Sequence, residues 1–445
     1  MMSLFAKYVQ AFGRFQRNAQ LYLIYNALSG VSAGILLVLY NLYLVSLGYK
    51  TDFIGLVLFS GTLGAGLAIF PAGLCIDRFG GKIVLITMTL LFGVIGAGQI
   101  LFRQPLPLLA SGFVAGVLTA FFLVVNAPYL TANSTVEERP HLFSLNIVMQ
   151  LGTIVLGEVL GGALPQELRM VSWLMAPLPP QIHWLLASQS VARSYQLSLL
   201  GAGLIAVPCL IPLFLMSDGR KPREGVINQT RTGVLQFKKW YKIFILTRPL
   251  TLIKTPFSAL LLAWILVGLG AGLFIPYFNV YFVQHLGASS ALFGLIDGGA
   301  NGINALLTLV APLLAMRFGK INTVVLTRLV SIPLLLTIGF TGLVPLAALL
   351  YLFRQGAMDM SNGVFQVYSM EAVPEQRRGV ANSSYQAAMQ VSWAATTPLG
   401  GLLIAHVGYT PVFIGGAVLY VLAIALLWLR FGKQSTGGET NSATG

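Results

Sequence analysis

The chain has 445 residues, of which 56% are hydrophobic and only 9% are Asp, Glu, Lys or Arg. Soluble globular proteins carry about 25% charged residues, so the composition excludes a set of water-soluble domains and indicates a protein embedded in a lipid bilayer. The formal net charge of +14 would also fit a nucleic-acid-binding protein, but the positions of the basic residues argue against that class.

Residues 3–18 lack the long apolar run and the small-residue cleavage site of a signal peptide, so we expect no cleavable signal. Their apolar side chains recur at helical spacing, with Lys7, Arg14 and Arg17 between them. This pattern predicts an amphipathic helix that lies on the membrane surface.

Twelve apolar stretches, which we call spans one to twelve, are long enough to cross a bilayer as helices, since this takes about 20 residues. They cover residues 21–47, 53–76, 83–102, 105–132, 142–164, 195–217, 256–285, 291–316, 321–341, 343–369, 379–405 and 410–431. The predicted fold class is therefore an all-α integral membrane protein with twelve transmembrane helices.

The basic residues indicate the orientation of these spans. With the N-terminus in the cytoplasm, the cytoplasmic segments hold 21 of the 27 Lys and Arg residues, and the external segments hold 4. Positive residues accumulate on the cytoplasmic side of membrane proteins, so we expect both termini there. The positive charge then faces an anionic lipid leaflet, and we expect no nucleic-acid partner.

A long basic connection divides the chain into two halves of six spans each. We expect an N-terminal six-helix bundle at 1–217, a cytoplasmic basic linker at 218–255 and a C-terminal six-helix bundle at 256–433. The linker mixes aromatic and Lys residues and is interpreted as a surface-lying structural connection. The polar tail at 434–445 is rich in Gly, Ser and Thr and is predicted to be disordered.

The two halves repeat one another at a nearly constant offset. Asn41 in span one and Asn279 in span seven occupy equivalent places, 238 residues apart. Glycine pairs at offsets of 238 or 239 are Gly34 with Gly272, Gly48 with Gly287, Gly55 with Gly294, Gly80 with Gly319 and Gly161 with Gly400. Two six-helix halves of the same topology are a transporter architecture that binds substrate between the halves, near the middle of the bilayer.

The segment GLCIDRFGGK at residues 73–82 connects spans two and three. It resembles the signature loop of the major facilitator superfamily, from which it departs at Cys75 and Gly81. The residues that match the family pattern are Gly73, Asp77, Arg78, Gly80 and Lys82. The resemblance implies a twelve-helix secondary transporter in which Asp77 closes the cytoplasmic side by interacting with the N-terminus of span eleven, near Gly379. The alternative is that Asp77 and Arg78 only cap a turn.

Three carboxylates lie within spans: Glu158, Asp297 and Asp359. An acidic side chain at the bilayer centre costs about 2.5–3.5 kcal/mol on insertion scales, so such residues are candidates for function. We interpret all three as candidates for proton coupling. The alternative for each is a structural hydrogen bond or salt bridge between helices.

Polar side chains form one face on each of spans eight, ten and eleven, because they recur at helical spacing. Lipid cannot satisfy amide groups, so these faces must look into protein or into a hydrated cavity. The residues predicted to line a substrate cavity are Asn41, Asn279, Asn301, Asn304, Arg354, Asn362, Gln366, Gln386 and Gln390.

Two arginines also lie within spans. Arg354 in span ten is interpreted either as a partner of Asp297 in an ion pair or as a ligand for an anionic substrate. Arg328 in span nine is expected near the cytoplasmic end, with its guanidinium extending to the membrane interface.

The segment GEVLGG at residues 157–162 resembles the Gly-Pro-x-x-Gly-Gly element of proton-coupled drug exporters, with Glu158 in place of the proline. Span four holds Gly112 and Gly116 but lacks the arginine that those exporters usually carry there. The leading hypothesis is a proton-coupled secondary transporter that exports an amphiphilic compound by alternating access.

Uptake symport or uniport of a polar solute stays open as an alternative, and so does a non-transporting receptor or scaffold on the same fold. The sequence holds no Gly-Lys-Ser/Thr phosphate loop, no zinc-ligand spacing and no nucleophile–base set, so we expect neither an enzyme nor a cofactor. The expected partners are a small-molecule substrate, protons and the lipid bilayer. We expect a monomer in a bacterial inner membrane.

Overall fold

A computed structural model describes residues 12–13, 15–135, 137–217, 255–374 and 378–432. The regular structure of these residues is helical throughout, in agreement with the all-α prediction. The predicted surface helix at 3–18 lies largely outside the described residues. The linker, except for its last residue, and the polar tail also lie outside them.

The helices follow one another along the chain with short connections. They are α1 (Arg17–Ser46), α2 (Thr51–Phe79), α3 (Gly81–Leu101), α4 (Pro105–Ala132), α5 (Arg139–Met170), α6 (Ser172–Met175), α7 (Ser190–Ala206), α8 (Leu210–Leu215), α9 (Pro256–Phe274), α10 (Phe278–Val280), α11 (Ser290–Phe318), α12 (Lys320–Phe340), α13 (Val344–Asp359), α14 (Asn362–Glu371), α15 (Arg378–His406) and α16 (Tyr409–Phe431). Ten helical stretches of the described residues are long and apolar enough to cross a membrane. Spans ten and eleven coincide with α13–α14 and α15, so the helices are consistent with twelve crossings.

Three of the predicted spans are interrupted in the structure. Span six changes to a 3-10 turn at Val207–Cys209, and span seven does so at Ile275–Tyr277. Each turn contains a proline, which lacks the N–H that a continuous helix requires. Span ten breaks without a proline at Met360 and Ser361, between α13 and α14. Hydropathy reports whether a segment is apolar and not whether its helix is continuous, so the apolar pattern does not predict these breaks.

The chain packs into two compact units. Unit 1 comprises Met1–Tyr49, Leu56–Val226 and Ala288–Gly298, and unit 2 comprises Lys50–Gly55, Ile227–Gly287 and Gly299–Gly445. The first turn of α2 therefore belongs to unit 2, and the first turns of α11 belong to unit 1. The predicted domain boundaries at 217 and 256 stay a prediction.

The sequence repeat reappears as repeated hydrogen bonds within the two units. In unit 1, the Tyr43 hydroxyl donates to the carbonyl oxygen of Ile100 at 2.6 Å. In unit 2, the Tyr281 hydroxyl donates to the carbonyl oxygen of Ile338 at 2.5 Å. The two tyrosines are 238 positions apart, and so are the two isoleucines, so the two halves share packing as well as sequence pattern.

Glycines allow helix backbones to approach closely within each unit. In unit 1, a Cβ atom at Gly34 or Gly157 would collide with the backbone of the facing helix, because α1 and α5 cross there. Gly272 and Gly400 have the same role where α9 crosses α15 in unit 2. Small residues at such crossings are typical of membrane helices, which gain stability from close backbone contact.

The segment between α5 and α7 is held together by one buried arginine. Arg193 is 1% exposed. Its guanidinium donates to the carbonyl oxygens of Leu174, Ala176, Ala187 and Ser188 at 2.7–3.0 Å. The distribution of basic residues places Arg193 in an external segment but does not reveal that it organises this connection.

Candidate functional site

The interrupted part of span ten brings charged side chains together inside unit 2. Arg354 and Asp359 lie on α13, Arg328 lies on α12, Asn362 begins α14 and Tyr420 lies on α16. We call these five residues the charge cluster. It has no counterpart in the first half, where the positions 238 residues earlier are occupied by uncharged residues.

Arg328 is 1% exposed, as deeply buried as Tyr420 of the same cluster. Its Nη2 atom donates to Oδ1 of Asn362 at 3.1 Å, and its guanidinium carbon lies 4.6 Å from the centroid of the Phe365 ring. Nε and Nη1 are buried and have no hydrogen-bond partner within the described part of the chain. The expectation that Arg328 reaches the membrane interface is therefore wrong, because Asn362 and Phe365 on the second part of span ten hold its guanidinium inside the protein.

Arg354 is 3% exposed and lies among aromatic rings. Its guanidinium carbon is 5.0 Å from the centroid of Phe274 and 5.8 Å from that of Phe278. Its Nη2 atom lies 3.5 Å from the Tyr420 hydroxyl, and its Nε atom is buried with no partner among the described residues. Because Phe274 and Phe278 flank the 3-10 turn of span seven, Arg354 joins the two interrupted spans of this unit.

Asp359 supplies the negative charge of the cluster. It is the last residue of α13, is partly exposed, and accepts a hydrogen bond from Nδ2 of Asn362 at 3.2 Å. The positive charges of Arg354 and Arg328 act on it electrostatically. Two guanidinium groups and one carboxylate leave a formal excess of one positive charge in a buried environment, where charges interact more strongly than in water.

The polar faces of spans eight, ten and eleven contact one another in unit 2. Gln355 donates to Asn301 at 2.9 Å, and Gln366 donates to Asn382 at 3.2 Å. The partly or fully exposed side chains that we call the polar surface are Asn301, Asn304, Gln355, Gln366, Gln386 and Gln390. Gln355 precedes Asp359 by one helical turn, and Gln366 follows Asn362 by one turn, so the exposed edge of the charge cluster opens onto this surface.

The other two candidate carboxylates belong to unit 1. Glu158 is 1% exposed on α5, and its backbone contacts Gly34 on α1 and Gly294 on α11. Asp297 is partly exposed on the first turns of α11. Of the three candidate carboxylates, Asp359 is thus the one that lies in the same unit as Arg328 and Arg354.

Asn41 lies on α1 in unit 1, and Asn279 lies on α10 in unit 2. Asn41 and Asn279 are 7% and 5% exposed, and Oδ1 of Asn279 accepts a hydrogen bond from the backbone N–H of Val280 at 2.8 Å. Both stay predicted cavity residues.

In the signature loop, Gly80 has a φ of 85°, which favours glycine. Arg78 is exposed and its guanidinium lies 5.4 Å from the Phe79 ring centroid. Gly73 and Lys82 are half-buried. The side chain of Asp77 lies outside what the structure describes, so its gating role stays a prediction.

A family model described as Major Facilitator Superfamily matches residues 22–381 and 260–445. The chain belongs to the major facilitator superfamily. An uncharacterised MFS-type transporter, YhhS of Escherichia coli (strain K12), is 28% identical over 112 residues, which are 25% of this chain and 28% of that relative. The match thus spans little more than a quarter of the relative's length.

Solved structures show the same fold. A bacterial homologue of the human lysosomal transporter Spinster has a TM-score of 0.69 and 13% identity, over 93% of this chain and 96% of the other. A D-xylose-proton symporter has a TM-score of 0.61 and 16% identity, over 96% of this chain and 98% of the other. The chain is therefore a multi-pass membrane protein with the MFS fold.

Proposed function

We propose that this MFS transporter couples substrate movement to protons through Asp359, by alternating access of its two halves. The observation that carries the proposal is the position of Asp359, at a break in a membrane span and beside two buried arginines. Interrupted helices near the middle of a span form the substrate and ion sites of many secondary transporters. A carboxylate at such a site can take up and release a proton as its surroundings change.

Protonation of Asp359 changes the charge balance of the charge cluster. When Asp359 is ionised, it offsets one of the two guanidinium charges of Arg328 and Arg354. When it is protonated, both charges are left without an anion, and the preferred arrangement of α13 and α14 changes accordingly. Asn362 bonds to both Asp359 and Arg328, so the change reaches the second part of span ten.

Related proteins support this interpretation in general terms. One neighbour of the same fold is described as a D-xylose-proton symporter, so the fold is compatible with proton coupling. The curated relatives come from enterobacteria, which supports the inner membrane of a bacterium as the location.

Proton movement in sealed liposomes containing the purified chain tests the proposal. We add benzenesulfonate, benzyltrimethylammonium, glucose and leucine in turn at fixed pH and record the internal pH. At least one probe is expected to move protons in the wild type, and Asp359→Asn is expected to abolish this signal. Glu167→Gln, which removes an exposed carboxylate of α5, serves as the matched control.

Glu158→Gln and Asp297→Asn distinguish the three candidate carboxylates. We expect both variants to keep substrate-triggered proton movement, because they leave the charge cluster intact. Loss of the signal in either variant, with Asp359→Asn still active, would transfer the coupling role to that residue. Uptake of a labelled probe without any proton signal would instead indicate a uniporter.

A further inference from the structure

The charge cluster has more buried donors than acceptors. Arg328 keeps Nε and Nη1 unpaired, and Arg354 keeps Nε unpaired, among the residues that the structure describes. Both side chains are more than nine-tenths buried. Unpaired charged donors in a protein interior are costly, and together with the formal excess of one positive charge they indicate a missing anionic acceptor.

We propose that the substrate of this transporter carries an anionic group that binds the guanidinium groups of Arg354 and Arg328 and crosses the membrane together with a proton held by Asp359. The proposal rests on the proposed function and adds the chemical class of the substrate. A carboxylate, sulfonate or phosphate ester would match the planar donor array of a guanidinium group.

The surroundings of Arg354 also indicate the chemistry beside the anionic group. Phe274 and Phe278 lie against the guanidinium, and Phe278 packs edge-on against Tyr351 with ring centroids 4.8 Å apart. Aromatic rings pack well against apolar and aromatic groups. This environment therefore favours an amphiphilic anion, with an apolar or aromatic part next to its charged group.

Electrostatics determines the direction of coupling. The charged and titratable groups facing Asp359 are Arg354 on its own helix, Arg328 on α12 and the Tyr420 phenol on α16. An anion bound to the arginines lies near the Asp359 carboxylate and repels it when it is ionised. Binding of the anion and protonation of Asp359 therefore favour one another, and the two move in the same direction. This coupling favours symport over the exchange expected of an exporter.

Ligand-dependent thermal unfolding of the purified full-length chain tests the inference without a transport assay. The probe is benzenesulfonate, which stays ionised throughout the pH range, so a pH effect reports on the protein. Its neutral and cationic counterparts are benzenesulfonamide and benzyltrimethylammonium. We expect benzenesulfonate alone to raise the unfolding temperature, more strongly at lower pH, and to cause proton uptake in weakly buffered solution.

Variants of the charge cluster test whether benzenesulfonate binds there. Arg354→Gln is expected to weaken benzenesulfonate binding about tenfold, and Arg354→Lys, which keeps the charge, is expected to weaken it less. Arg317→Gln, at an exposed arginine of α11, is expected to bind like the wild type. Asp359→Asn is expected to bind benzenesulfonate at every pH without proton uptake.

Two results would overturn the inference in distinguishable ways. If benzenesulfonate fails to stabilise the protein, or stabilises it no better than its neutral and cationic counterparts, the substrate is not an anion held by these arginines. Proton coupling at Asp359 is then still tested separately, by proton movement in liposomes. If benzenesulfonate binds through Arg354 without proton uptake, the anion site stands, and cotransport with a proton at Asp359 is wrong.

Discussion

Gly157→Ala is expected to destabilise the protein by about 3 kcal/mol. Overpacking a close helix crossing costs about 1–3 kcal/mol, and the cost is at the upper end where the added atom collides with backbone. Gly157 lies on α5, where a Cβ atom would collide with the carbonyl oxygen of Val31 and with the backbone of Gly34 on α1. These are backbone atoms of a packed helix, so they cannot rotate away as a side chain would. Most of the protein should then fail to elute as a monodisperse species after solubilisation.

Gly152→Ala is the matched control for this substitution. Gly152 is on the same helix, but no atom of another helix in the described part of the chain lies within 4 Å of the position that its Cβ would take. Alanine also favours a helix over glycine by about 1 kcal/mol, so this variant should be as stable as the wild type or more stable. Equal behaviour of the two variants in thermal unfolding would show that α1 and α5 do not approach each other as the structure describes.

Asp359→Asn is expected to lower the free energy of unfolding by about 2 kcal/mol, because it removes the charged acceptor of the Asn362 amide and the negative charge that attracts the guanidinium groups of Arg354 and Arg328. Asparagine keeps an acceptor for the amide of Asn362, so the substitution removes the charge and little else. Two buried guanidinium groups are then left without a carboxylate.

Arg328→Met on the Asp359→Asn background should recover most of this loss. The second substitution removes the more buried of the two positive charges and replaces it with a flexible, unbranched apolar side chain. Denaturant or thermal unfolding of both single variants and the double variant forms a double-mutant cycle. Additive losses would contradict the account, because they would mean that Asp359 and Arg328 do not interact.

Much of the fold could be predicted from the sequence because the information is local. The apolar length of each span, the positions of the basic residues and the glycine pairs such as Gly34 and Gly272 predicted an all-α membrane protein with an internal repeat. The signature loop at residues 73–82 indicated the family, which the family match confirmed.

The candidate site could be predicted only in part. Helical spacing placed the amides of spans eight, ten and eleven on single faces, and the contacts of Gln355 with Asn301 and of Gln366 with Asn382 are consistent with a shared surface. Spacing on one helix cannot show which helices meet, so the pairing of Arg328 with Asn362 was missed. Pro276 indicates the break in span seven, because proline interrupts a helix. No proline marks the break at Met360 and Ser361.

Accumulation of labelled benzenesulfonate in proteoliposomes under an imposed pH gradient tests the central claim most directly, namely that an anion and a proton move together through the charge cluster. With an alkaline interior, the account predicts uphill accumulation in the wild type. It also predicts that Asp359→Asn equilibrates the probe without accumulating it. Accumulation that requires an acidic interior, or that persists unchanged in Asp359→Asn, would contradict the account.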